Sequence, residues 1–105
     1  MLAEARSRIR RYTSDEVRAD PDRLVVDIRS AEEREHSGSI AGSKHVPYSV
    51  LPWRADQTSE WRDEQLAGRR LCLVCAHGHS SSLAAAQLVE LGVDAGDLIG
   101  GYETW

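Results

Sequence analysis

Two short apolar runs, residues 24–28 and 71–75, constrain the fold of this chain more than any other feature. Each run has the length of a strand and is apolar at nearly every position, which is typical of strands buried on both faces of a parallel sheet. The second run leads through a short loop into a helical segment, residues 80–91, which Gly92 ends. Together with the other short strands and helices along the chain, this unit predicts an α/β fold.

The length and composition of the chain suit one domain. It has 105 residues, of which 41% are hydrophobic, and a chain of this size can bury a core without metal or disulfide cross-links. We therefore predict a single domain over residues 1–105. Within it, Leu2, Ala5 and Ile9 recur at helical spacing, which predicts that residues 1–11 form an N-terminal helical extension.

The charge balance and the cysteine count exclude several classes of protein. The formal charge is 13 − 17 = −4, which argues against nucleic acid as a partner. The apolar runs are far shorter than the roughly 20 residues of a membrane span, so no membrane partner is expected. The N-terminus lacks the apolar segment of a secretory signal, and two cysteines are too few for a disulfide framework. These features predict a protein of the cytoplasm, a reducing compartment.

Cys75 stands where parallel α/β proteins bind their ligands, at the carboxyl end of a predicted strand. Five backbone N–H groups follow it, from Ala76 to Ser80, and Gly78 permits the tight conformation that would turn them towards a sulfur or an oxyanion. The helix that begins near Ser80 directs its positive end to the same place, which favours a thiolate. The pattern predicts a nucleophilic cysteine, and an inert cysteine buried at a strand end is the alternative.

The spacing of Cys72 and Cys75, with His77 and His79 close behind, is also that of a zinc or dithiol motif. Residues three apart on a strand point to opposite faces, so these thiols cannot share a metal ion or form a disulfide unless the strand breaks. We therefore predict no metal and no cofactor, with Cys72 in the core. His77 and His79 are expected at the mouth of the loop, where a protonated imidazole attracts an anion, and solvated side chains are the alternative.

Three consecutive serines, residues 80–82, begin the predicted helix. Serine is a preferred helix cap, so a capping role is expected for at least one of them. One hydroxyl could also donate a hydrogen bond to the Cys75 sulfur. Ser80 and Ser81 are therefore candidate site residues beside the loop.

Two arginines are further candidates for the site. Arg54, beside Trp53, could bind an anionic substrate through paired hydrogen bonds, or its side chain could simply lie over the aromatic ring. Asp27 and Arg29 stand at the end of the first apolar run. A structural ion pair is the commoner role for such a pair, and a direct catalytic role is the alternative.

Four stretches of the chain resemble the rhodanese, or sulfurtransferase, family. They are VDIR at residues 26–29 before an acidic helix, GSIAGSKHVP at residues 38–47, the loop CAHGHSS at residues 75–81, and GGYETW at residues 100–105. In this order and spacing, the resemblance runs from residue 12 to residue 105. It implies a single-domain member of the family, with a central, mostly parallel sheet of about five strands and helices on both faces.

The resemblance also implies roles for individual residues. Cys75 would accept the sulfur, and the backbone from Ala76 to Ser80 would surround the persulfide. The chain departs from the family pattern at residue 39, a serine where many members have histidine, and at Ser80, where many have arginine. The second departure leaves the charge of the substrate to other groups. The candidate substrate-binding residues are thus Ala76, His77, Gly78, His79, Ser80, Ser81 and Arg54.

The activity that the resemblance implies is sulfur transfer without a cofactor. A sulfane sulfur would pass from thiosulfate, or a similar donor, to a thiol or cyanide acceptor through a persulfide on Cys75. The alternative is a sulfur carrier that a protein partner loads, or a partner-binding module, and a redox-sensing cysteine is a third reading. The phosphatase and arsenate-reductase branch of the fold uses a loop arginine, and no arginine follows Cys75 in this chain.

Overall fold

The structure, a computed structural model, describes residues 2–105. Within this range five strands form one sheet, and every neighbouring pair is parallel. In chain order the strands are β1 Arg10–Tyr12, β2 Arg23–Asp27, β3 Lys44–His45, β4 Arg70–Val74 and β5 Ala95–Leu98. They lie in the sheet in the order β1-β5-β4-β2-β3, so β4 is the central strand.

Helices alternate with these strands along the chain. They are α1 Leu2–Ser7, α2 Ser14–Arg18, α3 Ala31–Ser37, α4 Leu51–Ala55 and α5 Ser80–Glu90, with 3₁₀ turns at Tyr48–Val50 and Gly101–Thr104. The predicted α/β architecture with a parallel sheet of five strands is confirmed. Over residues 2–105, every helix is too short or too polar to span a bilayer.

The core has two parts, one on each face of the sheet, and β4 contributes to both. Leu71 and Leu73 pack on one face with residues of α4 and α5, such as Leu88. Cys72 and Val74 pack on the other face with residues of α2 and β5. Because both faces of β4 are covered, the strand is apolar at consecutive positions, as the sequence pattern predicts.

The N-terminal segment differs from the prediction of a helix over residues 1–11. Residue 1 lies outside the described residues, α1 is only six residues long, and residues 10–12 form β1 at the edge of the sheet, parallel to β5. A Cβ atom at Gly96 of β5 would lie 2.3 Å from the Arg10 carbonyl oxygen and 2.6 Å from the Tyr12 ring. The missing side chain at residue 96 therefore lets this segment dock as a strand, which a helical pattern in the sequence does not reveal.

Capping boxes start the two helices on either side of β2. Thr13 with Glu16 caps α2, and Ser30 with Glu33 caps α3, each through reciprocal side-chain and backbone hydrogen bonds. The second box fixes the turn after β2. This turn holds Arg29 at the same carboxyl edge of the sheet as the end of β4.

Candidate active site

Cys75 follows β4 directly and lines an open cleft of about 480 Å³ at the carboxyl edge of the sheet. Its side chain is largely buried, with 7% of the residue exposed. The loop after the cysteine forms one side of the cleft. The complete lining is Ile28, Arg29, Ser30, Glu33, Pro47, Tyr48, Ser49, Cys75, Ala76, His77, His79 and Ser80.

Two backbone N–H groups donate hydrogen bonds to the Cys75 sulfur. The Gly78 nitrogen lies 3.1 Å from Sγ, and the Ser81 nitrogen lies 3.3 Å from it. Gly78 has a φ of +84°, a left-handed conformation that glycine adopts without strain, and it turns the loop around the sulfur. The arrangement places a preformed set of dipoles around the thiol, which favours negative charge on a sulfur at this point.

The glycine turn at residues 100–101, with the residues that follow it, packs against the backbone of the loop after Cys75. The Tyr102 N–H donates to the Cys75 carbonyl oxygen at 2.7 Å, and the Glu103 N–H donates to the Ala76 carbonyl oxygen at 3.3 Å. A Cβ atom at Gly101 would lie 2.4 Å from the Cys75 carbonyl oxygen and 2.7 Å from the Gly78 nitrogen. Residue 101 must therefore be glycine for the loop to pack here, which gives the GGYETW stretch a physical role at the site.

Two arginines near the N-terminus also support the loop. The Gly78 carbonyl oxygen accepts hydrogen bonds from Arg6 Nη2 at 3.0 Å and from Arg11 Nη2 at 3.3 Å. These donors fix the peptide group between Gly78 and His79. Sequence reasoning missed both arginines, because it assigned their segment to a helical extension apart from the site.

A buried hydrogen-bond network lies beneath the sulfur. The Cys75 thiol donates to Ser81 Oγ at 3.3 Å, and Ser81 Oγ donates to Asp97 Oδ2 at 2.8 Å. Ser82 Oγ donates to the same Asp97 oxygen at 2.7 Å, and Arg11 bonds to both carboxylate oxygens, at 2.9 Å and 3.2 Å. Asp97 is fully buried, and sequence reasoning missed it. An aspartate in the otherwise small and apolar stretch of β5 is the signal that could have found it.

The serines do not cap α5, contrary to expectation. The N-cap position belongs to His79, and no side chain there accepts a hydrogen bond from the helix. Ser81 and Ser82 are instead fully buried, because their hydroxyls bond to Asp97. Ser80 lines the cleft.

Cys72 has a different environment from Cys75. It is fully buried on the opposite face of the sheet, as predicted from strand parity. Burial, with a smaller contribution from the Asp97 charge, raises the pKa of the Cys72 thiol to about 12. Both cysteines are free thiols. Within residues 2–105, no group of three or more His, Cys, Asp or Glu side chains is placed to hold a metal ion.

The two histidines lie at the rim of the cleft. His77 Nδ1 is 2.6 Å from Glu103 Oε2, and both side chains are exposed. His77 and His79 both line the cleft, so each can meet a ligand that approaches Cys75.

Arg54 lies away from this cleft, whereas Arg29 is part of it. Arg54 donates to the Trp61 carbonyl oxygen at 3.0 Å and lies 3.6 Å from the Asp63 carboxylate, and it is absent from the cleft lining. The structure therefore does not bring Arg54 together with the other predicted site residues. The guanidinium of Arg29 lies 3.9 Å from the centre of the Tyr102 ring.

The Asp27–Arg29 ion pair braces the wall of the cleft. The two side chains form two hydrogen bonds, at 2.9 Å and 3.1 Å, and both are buried. Burial opposes ionisation of Asp27, but hydrogen bonds from Arg29 and the charges of Arg29 and Arg34 leave the pKa of the carboxyl below its usual value. Tyr48 also lines the cleft, and burial, with a smaller contribution from the nearby Cys75, raises the pKa of its hydroxyl.

The fold and the loop together define a class of protein: a small parallel α/β domain that presents one thiol to an open cleft. Within this class, the chain belongs to the rhodanese-like domain family, whose model matches residues 12–105. The family predicted from the four sequence stretches is thereby confirmed.

Relatives of known name agree with this assignment. The thiosulfate sulfurtransferase GlpE of Pseudomonas putida is 37% identical over 92 residues, covering 86% of this chain and 76% of the relative. GlpE of Stutzerimonas stutzeri is 35% identical over 83 residues, covering 78% and 69%. A solved structure from Rhodopseudomonas palustris, of a protein of unknown function described as a possible tyrosine phosphatase, matches with a TM-score of 0.90 and 28% identity, covering 99% and 84%.

Proposed function

We propose that this protein is a sulfurtransferase that carries a sulfane sulfur on Cys75 as a persulfide. The observation that carries the proposal is the pair of N–H groups, from Gly78 and Ser81, that donate to the Cys75 sulfur beside an open cleft. Preorganised donors of this kind stabilise charge on sulfur without reorganisation during the reaction. The names of the GlpE relatives support the same activity.

Loading is the first half-reaction. The Cys75 thiolate attacks the outer sulfur of thiosulfate, or of a similar sulfane donor, and forms a new S–S bond. The S–S bond of the donor breaks, and sulfite leaves with the electron pair. The product is a Cys75 persulfide, and its outer sulfur stands in the cleft near the loop backbone. No metal and no organic cofactor takes part.

Unloading is the second half-reaction. An acceptor nucleophile attacks the outer sulfur, the persulfide S–S bond breaks, and its electron pair returns to Cys75 as a thiolate. Cyanide serves as acceptor in an assay, and a low-molecular-weight thiol or a protein cysteine serves in the cell. We place the reaction in the cytoplasm, since both cysteines are free thiols and a reducing compartment keeps such thiols from forming disulfides.

The charges around the cleft bear on which donor is used. Arg29 and Glu33 are the arginine and the carboxylic acid of the lining, and Arg29 is already paired with Asp27. His77 is paired with Glu103, and residue 80 is a serine where many family members have arginine. The dianion thiosulfate would therefore depend on the loop N–H groups and on the His77 and His79 side chains for recognition.

This charge pattern favours a second candidate function, that of a sulfur carrier loaded by another protein. In that role Cys75 takes its sulfur from a protein persulfide, and turnover with free thiosulfate is negligible. The phosphatase description of the Rhodopseudomonas palustris relative finds less support in this chain. Phosphate binding by a cysteine loop relies on an arginine clamp, and residues 75–105 contain no arginine.

Intact-protein mass spectrometry tests the proposal. The protein is incubated with thiosulfate, or in a parallel sample with a persulfide donor, and then with cyanide, and Cys75→Ser and Cys72→Ser are treated in the same way. We expect the wild-type protein and Cys72→Ser to gain the mass of one sulfur and to lose it to cyanide, and Cys75→Ser to gain nothing. If only a persulfide donor loads Cys75, the carrier role is correct. If no donor loads it, sulfur transfer is excluded.

A further inference from the structure

Asp97 is a buried carboxylate that lies one hydroxyl group away from the Cys75 sulfur. Ser81 Oγ stands between them, 3.3 Å from Sγ and 2.8 Å from Asp97 Oδ2. We propose that Asp97 holds the Ser81 hydroxyl proton away from the sulfur, and thereby disfavours the Cys75 thiolate and retains a loaded sulfur on Cys75. The statement about loaded sulfur rests on the proposed function, whereas the statement about the thiolate does not.

The proton of the Ser81 hydroxyl determines what the Cys75 sulfur meets. A serine hydroxyl has a single proton, and a carboxylate is a stronger acceptor than a thiol or thioether sulfur. While that proton bonds to Asp97, Ser81 presents only lone pairs to Sγ. It can then accept a hydrogen bond from the thiol but cannot donate one to the thiolate. The buried charge of Asp97 behind the hydroxyl acts in the same direction.

Other groups oppose this effect. The Gly78 and Ser81 N–H groups donate to the sulfur and favour the thiolate. Arg11 bonds to both oxygens of Asp97 and reduces, without removing, the field of the carboxylate. Cys75 therefore stands between N–H dipoles that stabilise its charged form and a carboxylate network that stabilises its neutral form.

Further titratable and charged groups face this network from each element around it. They are Arg6 of α1, Arg11 of β1, Cys72 of β4, Tyr48 of the first 3₁₀ turn, His77 and His79 of the loop, and Arg29 and Glu33 of the cleft wall. Substitution of Asp97 leaves all of these groups in the protein. A variant at residue 97 therefore changes only the carboxylate charge and its neutralisation of Arg11.

The proposal has a consequence for sulfur release. When an acceptor takes the outer sulfur, the electron pair of the broken S–S bond stays on Cys75 as a thiolate. A more basic thiolate is a poorer leaving group. By disfavouring this thiolate, Asp97 slows release and keeps the sulfur on Cys75 until a suitable acceptor arrives, which suits transfer to a partner. Asp97 is thus a positioning residue that acts through Ser81.

The test is the pH dependence of Cys75 alkylation by iodoacetamide, followed by mass spectrometry and assigned to Cys75 by fragmentation. In Asp97→Asn we expect the midpoint of the curve of alkylation rate against pH to move about one unit to lower pH. Well below both midpoints, the thiolate population rises about tenfold, and the rate rises about threefold, because a less basic thiolate is less nucleophilic. Ser82→Ala is the matched control, since Ser82 donates to the same Asp97 oxygen without contacting the sulfur, and its midpoint should not fall.

Ser81→Ala provides a second, independent variant that keeps the buried carboxylate. The thiol then loses its hydrogen-bond acceptor, so the midpoint should fall, but by less than in Asp97→Asn. In the double variant, Asp97→Asn should lower the midpoint by less than it does in the wild-type background. A midpoint that is unchanged or higher in Asp97→Asn overturns the proposal. So does a higher midpoint in Ser81→Ala, because the hydroxyl would then be donating to the thiolate. If Asp97→Asn does not fold, Ser81→Ala and Ser82→Ala decide the question.

Alkylation also separates this proposal from the proposed function, since it requires no sulfur donor. A shifted midpoint in a protein that no donor loads would contradict sulfur transfer and leave the Asp97 network in place. If the protein loads normally but Asp97→Asn does not shift the midpoint, sulfur transfer is supported and the Asp97 proposal is overturned. Where loading occurs, cyanide should unload Asp97→Asn about threefold faster than the wild-type protein.

Discussion

Cys72 and Cys75 are three residues apart, yet the structure gives them opposite properties. Cys72 lies within β4, fully buried, and burial raises the pKa of its thiol to about 12. Cys75 lies one residue beyond the strand, and its sulfur accepts two backbone N–H bonds beside an open cleft. The difference between the two thiols follows from their surroundings, since the two residue types are identical.

The end of the strand creates this difference. At Cys72 the backbone is paired with both neighbouring strands, opposite Val25 and Gly96. The backbone N–H groups there are therefore used in the hydrogen bonds of the sheet. Beyond Val74 the ladder stops, and the glycine turn at residues 100–101 holds the loop so that Gly78 and Ser81 donate to sulfur. A strand end at the carboxyl edge thus places the same side chain beside an open cleft instead of in the core.

Loss of the Cys75 sulfur is the most severe test of the comparison. We expect Cys75→Ser to lower sulfur transfer from thiosulfate to cyanide at least about a thousandfold, because the covalent intermediate cannot form. Thiocyanate formation measures the rate, and thermal unfolding checks the fold. Cys72→Ser, the matched variant, should transfer sulfur at the wild-type rate. Equal activity in all three proteins would contradict the assignment of the nucleophile.

Selective alkylation tests the two thiols directly. With a pKa of about 12, about one Cys72 side chain in a thousand is a thiolate at pH 9, and burial excludes the reagent as well. We expect the native protein to take up one equivalent of iodoacetamide quickly and the denatured protein to take up two. Comparable native rates at both cysteines would show that the face of the sheet does not separate them.

The loop geometry itself can be broken at Gly101. In Gly101→Ala the new Cβ would lie 2.4 Å from the Cys75 carbonyl oxygen, at a φ of +70°. Displacement of the loop should lower sulfur loading about 10-fold to 100-fold. Gly92→Ala is the control, since its φ of +83° imposes similar backbone strain while nothing lies within 4 Å of the new Cβ. It should lose about 1 kcal/mol of unfolding free energy and load normally. Equal loading by the two variants would mean that the turn does not hold the loop.

A hydroxyl at residue 72 probes the other side of the comparison. Cys72→Ser places a hydroxyl in the apolar core, which should lower the free energy of unfolding by about 1–3 kcal/mol. In a domain of this size, each kcal/mol lowers the Tm by about 4–8 °C. Cys75→Ser should lose less, because Ser81 and the loop N–H groups can bond its hydroxyl. The reverse order in the two melting temperatures would contradict the environments described here.

The sequence predicts the central part of the fold well because the signals there are local. The signals are contiguous: the apolar run of β4, the glycine of the loop and the helical segment of α5. Each of them is recognisable from its own residues. Strand β1 could not be predicted in this way, since its three residues include two arginines. It is a strand because β5 offers an open edge and Gly96 leaves room for Tyr12.

The same distinction explains which site residues the sequence reveals. Gly78 lies on the loop that follows Cys75, and Ser81 lies in the first turn of α5, so a short stretch of sequence contains both. Asp97 and Arg11 reach the sulfur network only because β5 and β1 follow β4 in the order of the sheet. The prediction for Arg54 rests on its residue type and its place beside Trp53 in an irregular segment. The chain after α4 folds back, and the Asp63 N–H donates to the Arg54 carbonyl oxygen at 2.7 Å. This contact places the Arg54 guanidinium beside the Asp63 carboxylate.

Localisation of the transferred sulfur tests the central claim most directly. The protein is loaded with thiosulfate or with a persulfide donor, the persulfide is trapped with iodoacetamide, and the peptide that contains both cysteines is fragmented. The account predicts that the extra sulfur lies on Cys75 alone, with Cys72 unmodified until the protein is denatured. Extra sulfur on Cys72, or shared between the two cysteines, would contradict the claim that the end of β4 separates a core thiol from a sulfur-carrying one.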